Sequence, residues 1–582
     1  MLMNDKMNEL VQFSPFAGRL FLETVSGETN QKVEHENDVH AADGADRTMY
    51  AYAPKSGCPD PKQAQVLMVL RSTGDEASAQ ELLDRLGLRT LAEEEHFLLL
   101  FPNPTESGWN YAEDPNRDDD MEFLGRCFGA LRGSKGGVNG FNGMVFYLAD
   151  CEEASALLMT MAAKKPMSVP AMMIGAFPGD YSIPADGKNV EVAACVCGNK
   201  AAAAYVRKAN GVSKVDDGVE HGNNPNVRLL ELHRPIDKIT VLYAWHKVFS
   251  RSRRWQNDTY GTYQPRTDFT DRGFTAHVKD ASLGCNDNFP HTWYEYIPPQ
   301  LRGTKEKAPL VFYFHGVNCV PLYGAEQSGW QDIADRENLI VVFPAPAVHK
   351  AWNIANDPSM PSDFDFVLAL IEHMKQVHPI DETRIYATGF SMGGMMTHAI
   401  TAVYPEVFAG AAPCNAFDFG YFKKPAEVYR SVVKGADPDA MAEYSRQHEM
   451  ADAKRAALDY RMPMFQNVGY NDGLIASWPV SGETDDVRTK TISRWMDINN
   501  IGALTLDENT LTGIAAHESF YEDSEQRIYH QRWHSKDAGE PVLYEIMTVK
   551  RMPHAILPRQ IEFAWAFLKK FQRMSDGSLK IE

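Results

Sequence analysis

The chain has 582 residues, of which 44% are hydrophobic and 23% charged, and a net charge of −20. It is too long for a single hydrophobic core, so we expect two or more domains of ordinary globular composition. The negative charge argues against nucleic acid or an anionic membrane as a partner, because both would repel the chain. The sequence has no run of 18 apolar residues and no basic N-terminal segment followed by an apolar one. We therefore expect neither a transmembrane helix nor a signal peptide.

Short apolar segments alternate in the chain with helix-like ones such as "SDFDFVLALIEHMKQVH" (362–378). The segments "LVFYFHG" (310–316), "NLIVVFP" (338–344) and "RIYATG" (384–389) are continuously apolar and do not alternate with polar residues. Such runs are typical of parallel strands that are covered on both faces. Strands separated by helices predict an α/β fold with a mostly parallel sheet and helices on both faces.

The eight cysteines are scattered along the chain, and only Cys195 and Cys197 are close together. A single C-x-C pair is a weak metal signal, and the common zinc-site spacings are absent. We therefore expect buried thiols in a reducing cytoplasm, with no disulfide framework and no metal site.

The segment "SRSRRWQNDTYGTYQPRTDFTDRG" (250–273) is polar, contains glycine and proline, and has no apolar periodicity. These features are typical of a linker or surface loop. The domain boundary is predicted near 250–275.

The second half repeats the first at a separation of about 240 residues, far longer than a solenoid period. "RTMYAYAP" (47–54) matches "HTWYEYIP" (291–298), and "SGWN" (107–110) matches "KAWN" (350–353). Any two α/β domains would share apolar strands, but not Tyr-x-Tyr and Trp-Asn in register. The sequence predicts a tandem duplication, with one domain over 1–255 and another over 270–582.

In the second copy, the strand-like "RIYAT" runs into Gly389-Phe390-Ser391-Met392-Gly393 and then into a helix-like segment. A sharp strand-to-helix turn holds its central residue above the sheet, and flanking glycines avoid clashes between Cβ atoms and the backbone. We therefore interpret Ser391 as a nucleophile. The alternative is a purely structural turn.

A serine nucleophile needs a base, and the base needs an acid that orients it. In the α/β-hydrolase fold they follow in the order serine, acid, histidine. Asp472 lies just after the apolar strand "MPMFQNVG" and is the predicted acid, although Asn-Asp-Gly could simply form a turn. His554 follows the strand "VLYEIMTVK" and precedes the last helix, so it is the predicted base. The remaining candidates are His517, His530 and His534, while His398 is expected to be packed structure.

An oxyanion hole needs two N–H donors. One is expected from Met392, directly after the nucleophile. The other is expected from Val317, in the loop after the strand "LVFYF", with an uncertainty of one residue.

The second half resembles the α/β-hydrolase esterases that include poly(3-hydroxybutyrate) depolymerases and microbial feruloyl and acetylxylan esterases. The resemblance is carried by "FYFHG", "AWN" (351–353), "DETRIYATGFSMGGMMTH" and "VKRMPHAI". It implies the triad roles already argued for Ser391, Asp472 and His554, and hydrolysis of carboxylic esters through an acyl-enzyme. No cofactor or metal is implied. The expected partner is a small-molecule or oligomeric ester substrate, and the oligomeric state stays open.

Secreted members of this family often have cysteines where this chain has Val317 and Ala351, and Cys319 has no evident partner. This departure fits a cytoplasmic version of the enzyme. No polymer-binding module is visible, which puts action on solid polyester in doubt.

Two long stretches, near 417–461 and 478–540, are interpreted as insertions that form a lid. Trp352, Tyr470 and Trp478 are candidates for an aromatic substrate wall, with core packing as the alternative. A peptidase of the same fold and a non-catalytic binding protein also remain possible interpretations.

The first copy lacks the features that carry chemistry in the second. Cys151 stands where Ser391 aligns and has no neighbouring glycine, while Lys200 and Arg234 stand near the positions of the acid and the base. We therefore expect a degenerate, non-catalytic domain.

Overall fold

The computed structural model describes residues 10–11, 17–27, 44–59, 64–133, 142–265, 267–347, 351–421, 460–474, 478–480, 486–522 and 524–582. It divides into two compact units, Asn8–Arg266 and Thr267–Glu582. The division falls within the polar segment 250–273. Within the described residues, no helix is long and apolar enough to cross a membrane.

The first unit contains a ten-stranded sheet and six helices among its described residues. Its strands are β1 (Leu10–Val11), β2 (Leu20–Val25), β3 (Arg47–Tyr52), β4 (Cys58–Pro59), β5 (Val66–Leu70), β6 (Leu98–Pro102), β7 (Val145–Ala149), β8 (Ala171–Ile174), β9 (Ala193–Cys197), β10 (Lys214–Asp216), β11 (Val219–His221), β12 (Leu229–Leu232), β13 (Arg254–Trp255) and β14 (Thr262–Tyr263). Its helices are α1 (Glu76–Arg85), α2 (Leu88–Glu95), α3 (Asp120–Gly133), α4 (Glu152–Lys164), α5 (Lys200–Ala209) and α6 (Lys238–Lys247). The sheet order is β10-β11-β12-β9-β8-β7-β5-β6-β3-β2.

The second unit contains another ten-stranded sheet. Its strands are β15 (Phe274–Asp280), β16 (His291–Tyr296), β17 (Ala308–Phe314), β18 (Ile340–Pro344), β19 (Ile380–Phe390), β20 (Gly410–Cys414), β21 (Met464–Gly469), β22 (Glu518–Tyr521), β23 (Ile528–His534), β24 (Val542–Val549), β25 (Phe571–Arg573) and β26 (Leu579–Ile581). Its helices are α7 (Phe269–Arg272), α8 (Pro321–Ser328), α9 (Trp330–Glu337), α10 (Asp363–Val377), α11 (Met392–Val403), α12 (Val487–Ile498) and α13 (Pro558–Leu568). The sheet order is β15-β16-β18-β17-β19-β20-β21-β24-β23-β22.

Helices cover both faces of the second sheet, as its continuously apolar strands predict. Every residue of β17 and β18 is buried. One core cluster packs α10, α11 and α12 against the sheet, and a separate cluster packs α8, α9 and α13 against the opposite face. The central strands pair in parallel, from β18 through β17, β19, β20 and β21 to β24. The two units are therefore α/β-hydrolase-like domains, as their sequence pattern predicts.

The two sheets have the same strand order when the order of the first is reversed, so that β2 corresponds to β15 and β10 to β22. In both, a central parallel region is flanked by antiparallel strands at each edge. This shared topology supports the predicted duplication.

The two units also share a set of side-chain hydrogen bonds. The indole of Trp109 donates to the Arg71 carbonyl at 2.8 Å, and the indole of Trp352 donates to the His315 carbonyl at 2.7 Å. Each acceptor is the residue directly after the strand β5 or β17. Apolar strands alone do not require these bonds, so they favour descent of both units from one ancestor.

The asparagine after each of these tryptophans also has the same partner in the two units. The backbone N–H of Asn110 donates to the Asp120 carboxyl, and that of Asn353 donates to the Asp363 carboxyl. Each aspartate lies at the start of a helix, α3 or α10. This second repeated contact points to the same common origin.

The interpretation of 478–540 as an insertion needs correcting for much of that stretch. Helix α12 buries Ile492 and Trp495 in the core, and β22 and β23 extend the sheet beyond β24. In the first unit, β10 and β11 hold the same positions beyond β12. Of the other predicted insertion, 417–461, residues 422–459 lie outside the described residues.

Candidate active site

Ser391 lies at the sharp turn between β19 and α11. Its φ is 56° and its ψ is −122°, a combination that non-glycine residues rarely adopt. Such strain is typical of a serine held out at the end of a strand for chemistry. The structure thus has the strand-turn-helix geometry predicted from the glycine spacing.

The glycines around Ser391 are required by close backbone approach. A Cβ on Gly389 would lie 2.4 Å from the Gly393 carbonyl oxygen, and a Cβ on Gly393 would lie 1.9 Å from the Phe314 carbonyl oxygen. A Cβ on Gly394 would lie 2.6 Å from Cβ of Ala416. The turn, the following helix and the end of β17 can therefore approach one another only without side chains at these positions.

Backbone hydrogen bonds hold the turn in place. The N–H of Ser391 donates to the Cys414 carbonyl at the end of β20, at 2.9 Å, and the Ser391 carbonyl accepts from Met395 at 3.0 Å. Met392 is the first residue of α11, so its N–H has no acceptor within the helix. This N–H is the predicted first donor of the oxyanion hole.

Asp472 and His554 are in contact, although they are far apart in the sequence. Asp472 is fully buried in the loop after β21, and its carboxyl lies 2.7 Å from Nδ1 of His554, in the loop after β24. Backbone bonds from Tyr470 to Val549 and from Asn471 to Met552 join these two loops. Because a carboxylate accepts the bond, Nδ1 carries the hydrogen, and Nε2 of His554 is left to accept a proton.

The imidazole of His554 lies beside the turn that carries Ser391. Its ring centroid is 4.7 Å from that of Phe390, the residue directly before the serine. The His554 side chain is 11% exposed, so it is shielded yet accessible. Asp472 thus contacts His554, and the His554 imidazole lies beside the residue that precedes Ser391.

The loop after β17 also reaches the turn. A Cβ on Gly316 would lie 3.3 Å from Cβ of Ser391, so a side chain at this position would press against the serine. Val317, the predicted second oxyanion donor, follows Gly316 and is partly buried. The indole of Trp352 holds the loop by donating to the His315 carbonyl.

The other histidines that were candidates for the base have different partners. His530 and His534 are on β23, where they contact Glu545 and Glu518, and Nδ1 of His517 accepts from the His534 N–H. His398 is fully buried in α11, where burial lowers its pKa to about 4. The indole of Trp495 donates to its Nδ1 at 3.0 Å, which fits the expected packing role.

The three aromatic candidates for a substrate wall differ in exposure. Trp352 is fully buried against Phe314, which favours the core-packing alternative. Trp478 is 7% exposed and packs against Phe417, and Tyr470 is partly buried against the core. Only Tyr470 therefore presents appreciable surface in this structure.

The first unit has a relaxed turn at the position equivalent to Ser391. Cys151 has φ −140° and ψ 166°, ordinary extended backbone. Burial, and then the nearby charges of Glu153 and Asp150, raise the pKa of the Cys151 thiol to about 11. The thiol is therefore protonated near neutral pH.

The predicted replacements for the acid and the base in the first unit are both at the surface. Lys200 is exposed at the start of α5, and Arg234 is exposed and paired with Asp237. Among the described residues of both units, no group of three or more His, Cys, Asp or Glu side chains could hold a metal ion.

Two features of the site had little or no signal in the sequence. The Cys414 carbonyl, which accepts from Ser391, belongs to a strand that carries no motif. The contact of Phe390 with His554 depends on tertiary packing, and the sequence shows only that Phe390 directly precedes Ser391.

The chain matches the model of the Prolyl oligopeptidase family over residues 360–478. This range includes Ser391 and Asp472 but only a minor part of the chain.

Curated relatives each match about a quarter of the chain or less. A bifunctional acetylxylan esterase/xylanase (XynS20E) of Neocallimastix patriciarum is 30% identical over 150 residues, covering 25% of this chain and 21% of that protein. Poly(3-hydroxyalkanoate) depolymerase C of Paucimonas lemoignei is 34% identical over 163 residues, covering 26% of this chain and 38% of the depolymerase. Feruloyl esterase B of Thermothelomyces thermophilus is 31% identical over 137 residues, covering 22% and 44%. The chain thus spans less than half the length of each of these relatives.

Among solved structures, an acetyl xylan esterase from Aspergillus awamori aligns with 51% of this chain and 99% of its own, at 14% identity and a TM-score of 0.36. The chain is thus similar to α/β-hydrolase esterases, a group that includes polyhydroxyalkanoate depolymerases and feruloyl and acetylxylan esterases.

Proposed function

We propose that the protein is a serine hydrolase that cleaves carboxylic esters, with Ser391 as nucleophile, His554 as base and Asp472 as orienting acid. The observation that carries this proposal is the 2.7 Å contact between His554 and Asp472, with the imidazole beside the strained Ser391 turn. A buried carboxyl that holds an imidazole next to a strained serine is the arrangement that activates a hydroxyl.

The proposed reaction has two halves. Nε2 of His554 takes the hydroxyl proton as Oγ of Ser391 bonds to the ester carbonyl carbon, and the carbonyl becomes an oxyanion. When the carbon–oxygen bond to the alcohol breaks, the imidazolium gives that proton to the leaving alkoxide, and the acyl group stays on Ser391. A water molecule then attacks the acyl-enzyme with His554 again as base, which releases the acid and restores Ser391.

The N–H groups of Met392 and Val317 are the proposed donors to the oxyanion. Met392 opens α11, and the helix dipole adds positive potential at that end. Val317 follows Gly316, where an added Cβ would lie 3.3 Å from Cβ of Ser391. Two such donors stabilise charge that exists only in the transition state and its neighbouring intermediate.

The proposed substrates are small-molecule or oligomeric esters, because the relatives named above act on acetylated xylan, feruloyl esters and poly(3-hydroxyalkanoate) by name. The first unit is proposed to be non-catalytic, since the pKa of Cys151 is about 11 and its turn is relaxed. A cytoplasmic location remains part of the proposal, and the eight cysteines are compatible with it because all of them are free thiols.

Substrate profiling tests the proposal. Purified protein and its Ser391→Ala variant would be assayed with acetyl, feruloyl and 3-hydroxybutyrate oligomer esters, and with peptide amides. We expect Ser391-dependent hydrolysis of at least one ester class. Hydrolysis of peptides alone would replace the proposed esterase with a peptidase of the same fold. If neither esters nor peptides were hydrolysed, the remaining interpretation would be a non-catalytic binding protein.

A further inference from the structure

Asn415 is a fully buried residue directly after β20, and it follows Cys414, whose carbonyl accepts from Ser391. Its φ is 45°, in the left-handed region that asparagine tolerates better than most residues. Asn415 is not one of the site residues predicted from the sequence.

The side-chain amide of Asn415 joins the two loops that carry the acid and the base. Its Oδ1 accepts from the N–H of Gly469 at 2.7 Å, at the end of the strand before Asp472. Its Nδ2 donates to the carbonyl of Ala555 at 2.6 Å, and Ala555 directly follows His554. The oxygen and the NH₂ group of this one amide thus bond to backbone atoms beside the acid and beside the base. These two bonds fix the distance between the two loops.

The backbone around Asn415 connects these loops to the nucleophile as well. Its own N–H donates to the Asn467 carbonyl at 2.8 Å, and the preceding carbonyl accepts from Ser391 at 2.9 Å. The dipeptide Cys414–Asn415 therefore contacts all three loops on which the triad depends. A small displacement of a catalytic group, about 1 Å, is enough to cost roughly 10²-fold in rate.

We propose that Asn415 is a positioning residue that holds the Asp472 loop and the His554 loop in the arrangement that presents the imidazole to Ser391. This inference rests on the proposed function for its catalytic consequence. Its structural part, the bridging of the two loops, stands on the hydrogen bonds alone.

The chain offers a matched control in Asn499, another fully buried asparagine. Its Oδ1 accepts from the N–H of Met462 at 2.9 Å, and its Nδ2 donates to the carbonyl of Met462 at 2.8 Å. Met462 precedes β21 at the end opposite Gly469. Loss of this amide therefore removes similar hydrogen bonds, just before the other end of the same strand, without touching the triad loops.

The test compares Asn415→Gly with Asn499→Gly, because glycine accepts the positive φ of residue 415 and removes the amide in both. For Asn415→Gly we expect kcat for an ester substrate to fall about 10²-fold. The KM should change less than about threefold, and the rate of fluorophosphonate labelling at Ser391 should fall in parallel with kcat. For Asn499→Gly we expect kcat within about twofold of the unaltered protein, whatever its thermal stability. A kcat within twofold for Asn415→Gly, or an equal loss in both variants, would overturn the proposal.

Hydrogen–deuterium exchange provides a readout that does not need activity. Peptides covering residues 469–474 and 551–556 should exchange faster in Asn415→Gly than in the unaltered protein or in Asn499→Gly. If the unaltered protein neither hydrolyses esters nor reacts with the fluorophosphonate, the proposed function fails, and this exchange result alone decides the bridging role. Unchanged exchange in both loops would refute it. If Asn415→Gly does not fold, Asn415→Asp at pH 8 carries the same test, since its carboxylate still accepts from Gly469 but has no hydrogen for Ala555.

Discussion

Replacing Gly393 by alanine should damage both the stability and the activity of the second domain. The added Cβ would lie 1.9 Å from the Phe314 carbonyl oxygen, 2.4 Å from its carbon and 2.7 Å from the His315 carbonyl oxygen. All three are backbone atoms at the end of β17, a fully buried central strand, so no flexible side chain can move aside. The turn and β17 must therefore separate by about 1 Å.

This separation has two measurable consequences. Overpacking of this kind costs about 1–3 kcal/mol of folding free energy, which corresponds to a fall in Tm of several degrees. The loop from Phe314 to Val317 also moves away from Ser391, so kcat should fall about 10²-fold. Differential scanning calorimetry and steady-state kinetics with one ester substrate measure the two effects.

Gly473→Ala is the control for this prediction. A Cβ at Gly473, beside Asp472, would meet no atom within 4 Å. We expect its Tm and kcat to stay close to those of the unaltered protein. If Gly393→Ala were as stable and active as Gly473→Ala, the argument that the glycines are required by close backbone approach would be wrong.

Three further predictions concern individual side chains. Ser391→Ala should lower kcat about 10⁶-fold without unfolding the protein, and activity within tenfold of the original would mean that another serine reacts. His554→Ala should be nearly as damaging in the same assay. His534 lies on β23 and contacts Glu518, so His534→Ala should keep kcat within about twofold of the unaltered protein. The reverse result would mean that the base is misassigned. Cys151→Ala should leave the rate of ester hydrolysis within about twofold of that of the unaltered protein. Burial raises the pKa of the Cys151 thiol to about 11, so alkylation of this thiol by iodoacetamide should be slow at pH 7. The alkylation rate, followed by peptide mass spectrometry, should rise about tenfold per pH unit as the pH approaches that pKa. Rapid alkylation at pH 7 would contradict the protonated thiol.

The parts of the site that follow a strand directly could be predicted from the sequence. The Ser391 turn is a local feature, in which glycine spacing and a preceding apolar strand report the geometry. The prediction of Asp472 and His554 depends on each following an apolar segment in an order that the fold fixes. Their contact in the structure agrees with that logic.

The parts that depend on distant contacts could not be predicted. Asn415 bridges residues that are 54 and 140 positions away in the chain, and no local pattern reports such a bond. Trp352 could equally have been a surface or a core aromatic, and its indole donates to a carbonyl 37 positions earlier in the chain, a contact that no local pattern reports.

The outer strands β22 and β23 were interpreted as part of an insertion for a related reason. The exposed Glu518 and Ser519 on β22 lack the continuous apolar run that marks a central strand. These polar residues are tolerated because β22 lies at the edge of the sheet, and that position is set by the tertiary fold.

The most direct test of the central claim is mass spectrometry of the protein after reaction with a fluorophosphonate. The account predicts one covalent adduct on the peptide that contains Ser391, lost in Ser391→Ala and formed much more slowly in His554→Ala. An adduct on a different residue, or no adduct on a folded protein, would contradict the assignment of Ser391 as the nucleophile.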